Sequence, residues 1–193
     1  MYKRKFLIKR SFKVFLGFFL IGIVLSIIYY SNMNKSDLNN VLYNIKNNKY
    51  LILNNHEDML FHLKIISIIL VFNFIHIGIF FFFGLIITEG YKFMIKTLFF
   101  LKVFKNSGLI YYLIYYLITN LIYLVLLYTL LKKVIKISKL FFKKEIKKEN
   151  INYLDIINLT KHSVYTLLLI VATDFIIFQN YKHIAKLFAF LLK

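Results

Sequence analysis

Residues 109–131 read LIYYLIYYLITNLIYLVLLYTLL, a run without a charged side chain and with Asn120 near its middle. A helix rises about 1.5 Å per residue, so the run is long enough to cross a hydrocarbon core of about 30 Å. It is followed directly by KKVIKISKLFFKKEIKK at residues 132–148, which contains eight lysines. An apolar run of this length with a basic flank is typical of a transmembrane helix whose next segment lies in the cytoplasm.

Similar runs on both sides predict an all-α integral membrane protein, a bundle of about five transmembrane helices with the third short or bent. The composition agrees, because 60% of the residues are hydrophobic and the mean hydropathy is +0.70. Only 18% are charged, against about 25% in soluble domains. We expect one polytopic membrane domain over residues 1–193, with candidate helices 14–30, 65–87, 93–106, 109–131 and 164–179, an external segment 31–64 and a basic cytoplasmic loop 132–163.

The basic residues predict how the helices are oriented. Six lysines and arginines lie within the first thirteen residues, ahead of helix 14–30. No small-residue cleavage pattern follows that helix, which favours a retained signal anchor over a cleaved signal peptide. Lys and Arg near membrane segments stay cytoplasmic, so both basic blocks are expected inside, with an even number of crossings between them. Segment 93–106 would then cross the membrane; the alternative is an interfacial helix.

The external segment carries apolar residues at helical spacing after Ser36, a predicted N-cap. This spacing predicts a short amphipathic helix that lies against the membrane or a partner, with an irregular loop as the alternative. The candidate structural or partner-binding residues on that helix are Leu38, Val41, Leu42 and Ile45.

The chain offers little for catalysis or cofactor binding. It has no cysteine, no Gly-rich phosphate loop and no zinc-protease or serine-hydrolase motif, so no catalytic, cofactor-binding or metal-binding residue is predicted. His56 and His62 are six positions apart and would lie on opposite sides of a helix, which argues against a metal site there. A nucleic-acid partner is not expected, because binding a single strand requires a basic groove with aromatic platforms.

Asp174 is the most informative polar residue, because an ionisable group within an apolar run is costly and marks a functional hypothesis. Three interpretations are open: a functional group, a solvated residue near the outer end of its helix, or a partner of His76 or Asn120. Glu89 follows the run 65–87 and is expected to lie at a solvated helix end. Asn120 is expected to hydrogen-bond within the bundle as a packing contact.

Three features of the stretch 90–127 match a known family of membrane proteins. Gly90 and Tyr91 form a Gly-aromatic pair at the start of a hydrophobic segment, and Gly108 follows eighteen residues later. The sequence TNLIY around Asn120 then stands where that family carries Pro-Gln-Asn-Leu-Ile. On these residues the chain resembles the stage II sporulation protein M family, although it contains no proline.

In the last helix, Asp174 and the following Phe175 are similar to a Glu-Ala pair of the same family. The resemblance implies a non-enzymatic scaffold that assembles two peptidoglycan-remodelling hydrolases, the stage II sporulation D and P proteins, during forespore engulfment. It implies a multi-pass protein of the septal or engulfing cell membrane. The charge pattern places its N-terminus in the cytoplasm. The expected partners are these two proteins and the lipid bilayer, with the oligomeric state left open.

Two other functions fit a membrane protein of this kind. A small transporter or channel component would use Asp174, Glu89, His76 and Asn120 along a pathway at mid-membrane depth. An intramembrane enzyme would need paired acidic or histidine residues within its helices, and the sequence is poor in them.

Overall fold

The structure is a computed structural model that describes residues 2–47, 78–145 and 153–188. These ranges contain helices and no strand, so the all-α prediction is confirmed for the described part of the chain. The four helices are α1 (Tyr2–Ser31), α2 (Lys35–Asn47), α3 (Gly78–Glu145) and α4 (Tyr153–Leu187).

α3 folds back on itself at Lys105. The backbone of this residue has φ 55° and ψ −140°, while the residues on both sides are helical. The turn divides α3 into a first limb, residues 78–104, and a second limb, residues 106–145. A straight helix of 68 residues would be about 100 Å long, more than three times the thickness of a hydrocarbon core.

The two limbs pack against each other in antiparallel directions. The ring centroids of Phe93 and Tyr116 are 4.5 Å apart, and those of Phe100 and Tyr111 are 5.6 Å apart. One residue number rises as the other falls, as in a helical hairpin. Beside the turn, a Cβ on Gly108 would lie 2.7 Å from the Cβ of Phe104, so the tight return of the chain requires a glycine there.

α1 packs along the first limb in the same direction. The rings of Phe18 and Phe83 stack at 4.1 Å between centroids, and those of Tyr30 and Phe99 lie 5.7 Å apart. Both residue numbers rise together, so the two helices are parallel.

α4 packs along the second limb in the opposite direction. The Tyr111 hydroxyl donates a hydrogen bond to the Ala185 carbonyl at 3.1 Å, and the Lys133 amine donates one to the His162 carbonyl at 2.7 Å. These two bonds fix the register of the pair.

Both basic blocks lie at the same end of the bundle. The ring of Phe12 contacts that of Tyr128 at 5.8 Å, and the Lys132 amine lies 4.1 Å from the centre of the same tyrosine ring. The basic start of α1 is therefore beside the lysine-rich part of the second limb, residues 132–145. We call this the basic end, and the opposite end, with α2 and the turn at Lys105, the tip end.

Three described segments are long and apolar enough to cross a membrane: Ser11–Ser31, Ile79–Phe142 and Tyr153–Leu187. Since the second of them folds back, four passes of membrane length are described. The predicted count of five is not confirmed, because residues 65–77 lie outside the described part. Large apolar side chains are exposed on the outside, as expected where lipid covers the protein. Examples are Leu20 and Val24 on α1, Leu121 and Ile122 on α3, and Leu168 and Ile176 on α4.

The first limb differs from the sequence prediction, because it continues without a break through residues 88–92. A boundary was expected there, between helices 65–87 and 93–106. Glu89 and Gly90 are buried against neighbouring helices, so these residues are part of the packed bundle and not of a solvated connection.

The helices also extend further than the apolar runs that predicted them. α3 continues to Glu145 and α4 begins at Tyr153, so most of the predicted loop 132–163 is helical. Val134 and Ile137 are only 0% and 2% exposed, and they continue the buried face of the second limb. Lysine is a good helix former, which allows the helix to continue beyond the membrane.

α1 and the first limb approach each other at two glycines. A Cβ on Gly22 would lie 2.8 Å from the backbone nitrogen of Tyr91, and a Cβ on Gly90 would lie 3.0 Å from the carbonyl carbon of Phe19. Small residues at such a crossing let helix backbones come close, which favours van der Waals packing within a membrane.

Gly22→Ala and Gly90→Ala are each expected to lower the free energy of unfolding by about 1–3 kcal/mol, because the added methyl overpacks the crossing. The measurement is the midpoint of thermal unfolding of the purified chain in detergent. Gly17→Ala and Gly84→Ala are matched controls, since a Cβ there meets no described atom within 4 Å. Equal midpoints for Gly90→Ala and Gly84→Ala would contradict the crossing.

Candidate functional site

The apolar face of α2 packs onto the bundle at the tip end. Ile45 is 0% exposed and shares a cluster with Ile95 and Phe99 of the first limb. The amphipathic helix is therefore the alternative that is observed, and the irregular loop is not. The other three candidate residues, all partly buried at the edge of this cluster, are Leu38, Val41 and Leu42.

This packing changes the role of those candidate residues. Their side chains pack against the cluster that Ile45 forms with the first limb, so they help to hold α2 in place. The opposite side of α2 is the more exposed one. The outward face of α2 consists of residues at positions i, i+4, i+7 and i+11, all exposed: Ser36, Asn40, Tyr43 and Asn47.

The outward face combines one large aromatic side chain with small polar ones. Tyr43 is 66% exposed. Exposed amide and hydroxyl groups can donate and accept hydrogen bonds, and a tyrosine adds apolar contact area with only two flexible bonds. Such a surface is suited to a protein partner.

An ionisable group lies inside the bundle at Glu89, which is 4% exposed. Its carboxylate oxygen is 4.0 Å from the Lys92 amine, one helical turn further along the first limb. The carboxylate is also within electrostatic reach of Tyr116 on the second limb. The expectation that Glu89 lies at a solvated helix end is wrong.

The sequence contained a signal for this interior pair. Glu89, Lys92 and Lys96 are spaced i, i+3, i+7, which places them on one side of a helix. The sequence prediction placed Glu89 and Lys92 in a connection between helices 65–87 and 93–106, so this spacing was not recognised as one face of a helix. Hydropathy alone assigns a charged residue to solvent, whereas here packing covers it.

The residues that carry the family resemblance occupy separate places in the fold. Gly90 lies at the crossing with α1, and Tyr91 beside it contacts the Tyr29 ring at 5.9 Å. Gly108 lies beside the turn of α3. Asn120 is partly buried and donates a hydrogen bond to the Thr119 hydroxyl at 2.8 Å. They do not form one pocket.

Asp174 is partly buried near the middle of α4. The register set by Tyr111 with Ala185 and by Lys133 with His162 places it midway along the contact with the second limb. This position disagrees with a solvated residue at the outer end of the helix. His76 and the cluster at 56–62 lie outside the described residues.

Glu89→Gln is expected to lower the free energy of unfolding by about 1–3 kcal/mol, because the amide leaves the Lys92 charge without its compensating carboxylate. Replacing both residues, Glu89→Gln with Lys92→Gln, should recover much of that loss. The measurement is a double-mutant cycle by thermal unfolding in detergent, in which coupled neighbours deviate from additivity. Strictly additive effects would mean that the two charges do not interact.

Comparisons of this chain with protein-family models, with curated proteins and with solved structures find no match.

Proposed function

We propose that this protein is a non-catalytic, multi-pass membrane scaffold that holds partner proteins through the outward face of α2. The observation that carries the proposal is the complete burial of Ile45, which fixes α2 to the tip end of the bundle. By the resemblance, the partners are the stage II sporulation D and P proteins, at the septal or engulfing membrane of a spore-forming bacterium.

A fixed helix is a better docking surface than a mobile segment. α2 is joined to α1 by only residues 32–34, and its apolar face is held by the first limb. Its outward face is therefore ordered before a partner arrives, which reduces the entropy lost on binding. Tyr43 is the natural anchor, since tyrosine is enriched among the residues that dominate binding energies.

The positions of the charges support an orientation for this surface. The basic start of α1 and the lysines of residues 132–145 lie at the same end, so the positive-inside rule assigns that end to the cytoplasm. The N-terminus is then cytoplasmic. α2, the turn at Lys105 and the end of α4 lie on the other side of the membrane, where peptidoglycan hydrolases act.

Two of the residues behind the resemblance have a structural reason to be glycine. A side chain on Gly90 would overlap the backbone of α1, and one on Gly108 would overlap Phe104. A family motif that serves helix packing fits a scaffold, whose activity is to present surfaces in a fixed arrangement.

Tyr43→Ala combined with Asn40→Ala should reduce co-purification of the D and P partners at least tenfold while leaving the thermal stability of the protein unchanged. The physical reason is that both side chains are exposed on the outward face of α2 and neither belongs to its buried cluster. The measurement is recovery of each partner on the tagged scaffold from detergent-solubilised membranes.

The matched control changes another exposed pair, Lys182→Ala with Lys186→Ala on α4, which should leave recovery unchanged. The sequence contains no cysteine, so a single Asn40→Cys variant also reports orientation. A membrane-impermeant maleimide should label it in intact cells whose outer layers have been permeabilised. Full partner recovery with the double variant would refute docking through this face.

A second candidate function, a small transporter or channel component, is favoured by one observation. Glu89 is a carboxylate buried on an inward face within a long apolar segment, as a proton or ion pathway requires. The position of Asp174 along the second limb is compatible with the same pathway. The scaffold ranks first because the described residues supply a docking surface, whereas they outline no continuous polar path.

The transport function makes its own prediction. In proteoliposomes loaded with a pH-sensitive dye, the wild-type chain would carry protons down an imposed gradient, and Glu89→Gln would abolish the flux. Under the scaffold function, wild type and variant both match protein-free liposomes. A flux in the wild type that Glu89→Gln removes would therefore replace the scaffold by a transporter.

A further inference from the structure

A groove opens at the basic end between the second limb and the start of α4. Lys136 and Lys139 lie on one wall of the groove, and Asn158 and His162 on the other, with Leu140 and Leu159 between them. The groove faces outward, because both lysines and both polar residues opposite are exposed. None of the functions discussed above uses it.

Lys133 holds the two walls together. Its amine donates hydrogen bonds to the His162 carbonyl and to the Thr166 hydroxyl, both on α4. The spacing of the walls is therefore set by a direct contact between the helices. Val134 and Ile137, which are 0% and 2% exposed, pack the second limb into the bundle behind the groove.

The groove has a net positive charge. Two lysines lie opposite a single carboxylate, that of Asp155, and among the described side chains neither lysine forms an ion pair with it. Asn158 and His162 add donors for hydrogen bonds to an anion.

The same two helices continue toward the membrane with apolar side chains on the same flanks. On the second limb, Val125 and Ile118 precede Lys136 by 11 and 18 positions, both helical repeats, and are 55% and 49% exposed. On α4, Leu169 and Ile176 follow His162 at 7 and 14 positions and are 56% and 61% exposed. The basic groove is therefore continuous with an exposed apolar strip along the two helices, formed by these four residues, which we call the seam.

We propose that this groove is a binding site for the headgroup of an anionic phospholipid, whose acyl chain lies along the seam below. The phosphate contacts Lys136 and Lys139, while the hydrogen-bond donors of α4 hold its oxygens. Basic pockets between transmembrane helices bind anionic headgroups in this way. The chain is then recruited to membrane regions rich in such lipids, through a site at the opposite end from α2.

The test measures lipid binding to the purified full chain in detergent by native mass spectrometry. Dioleoyl phosphatidylglycerol should bind in preference to dioleoyl phosphatidylcholine. Lys136→Gln with Lys139→Gln should weaken phosphatidylglycerol binding about 25-fold, since each lysine near an anionic surface contributes about fivefold. The control pair Lys182→Gln with Lys186→Gln removes the same charge at the tip end and should change binding less than twofold.

Asp155→Asn gives a second, opposite prediction that does not depend on the lysine variants folding. Removing the carboxylate from the groove should tighten phosphatidylglycerol binding about fivefold. The proposal is overturned if the two lysine pairs weaken binding equally, if Asp155→Asn has no effect, or if phosphatidylcholine binds as well. Full displacement of the lipid by equimolar inorganic phosphate would also overturn it, because the ligand would then be a free anion.

Discussion

The bundle depends on a contact in which two helix backbones touch without side chains between them. Gly22 and Gly90 let α1 lie directly on the first limb of α3. Within lipid there is no hydrophobic gain from bringing two apolar helices together, so close van der Waals packing has to hold them. The ring contacts on both sides of the crossing show that α1 runs parallel to the first limb. That direction brings the basic start of α1 beside the lysines of the second limb and leaves α2 at the far end.

The membrane class and the main apolar segments could be predicted from the sequence, because hydrocarbon thickness sets a length that soluble proteins rarely need. The amphipathic face of α2 could be predicted as well, since the spacing of Leu38 and Ile45 is helical. The limits of the helices could not. A hydropathy prediction ends a segment at the first charged residues, whereas the helix itself continues as long as its buried face packs against a neighbour. Val134 and Ile137 therefore carry α3 past Lys132.

The turn of α3 had no clear sequence signal. A left-handed backbone conformation usually selects glycine, and here Lys105 adopts it while the glycine stands three residues later at Gly108. The interior of the site was hidden for a related reason. Glu89 and Lys92 read as a polar connection between two helices, and only the position of the true turn shows that they lie within one. Sequence could place Leu38 and Ile45 on one face of a helix, but not decide that this face belongs to the protein itself.

The one-residue connection at Lys105 affects how the chain enters the membrane. Two transmembrane helices joined by a long polar loop require that loop to be carried across the bilayer. Here the limbs meet almost at once, so they can insert together as a preformed hairpin. In the orientation proposed above, the charges carried over are few, chiefly Lys102 and Lys105 near the apex. The ring contacts between the limbs, such as that of Phe100 with Tyr111, can form in the same step, before α4 packs against the second limb.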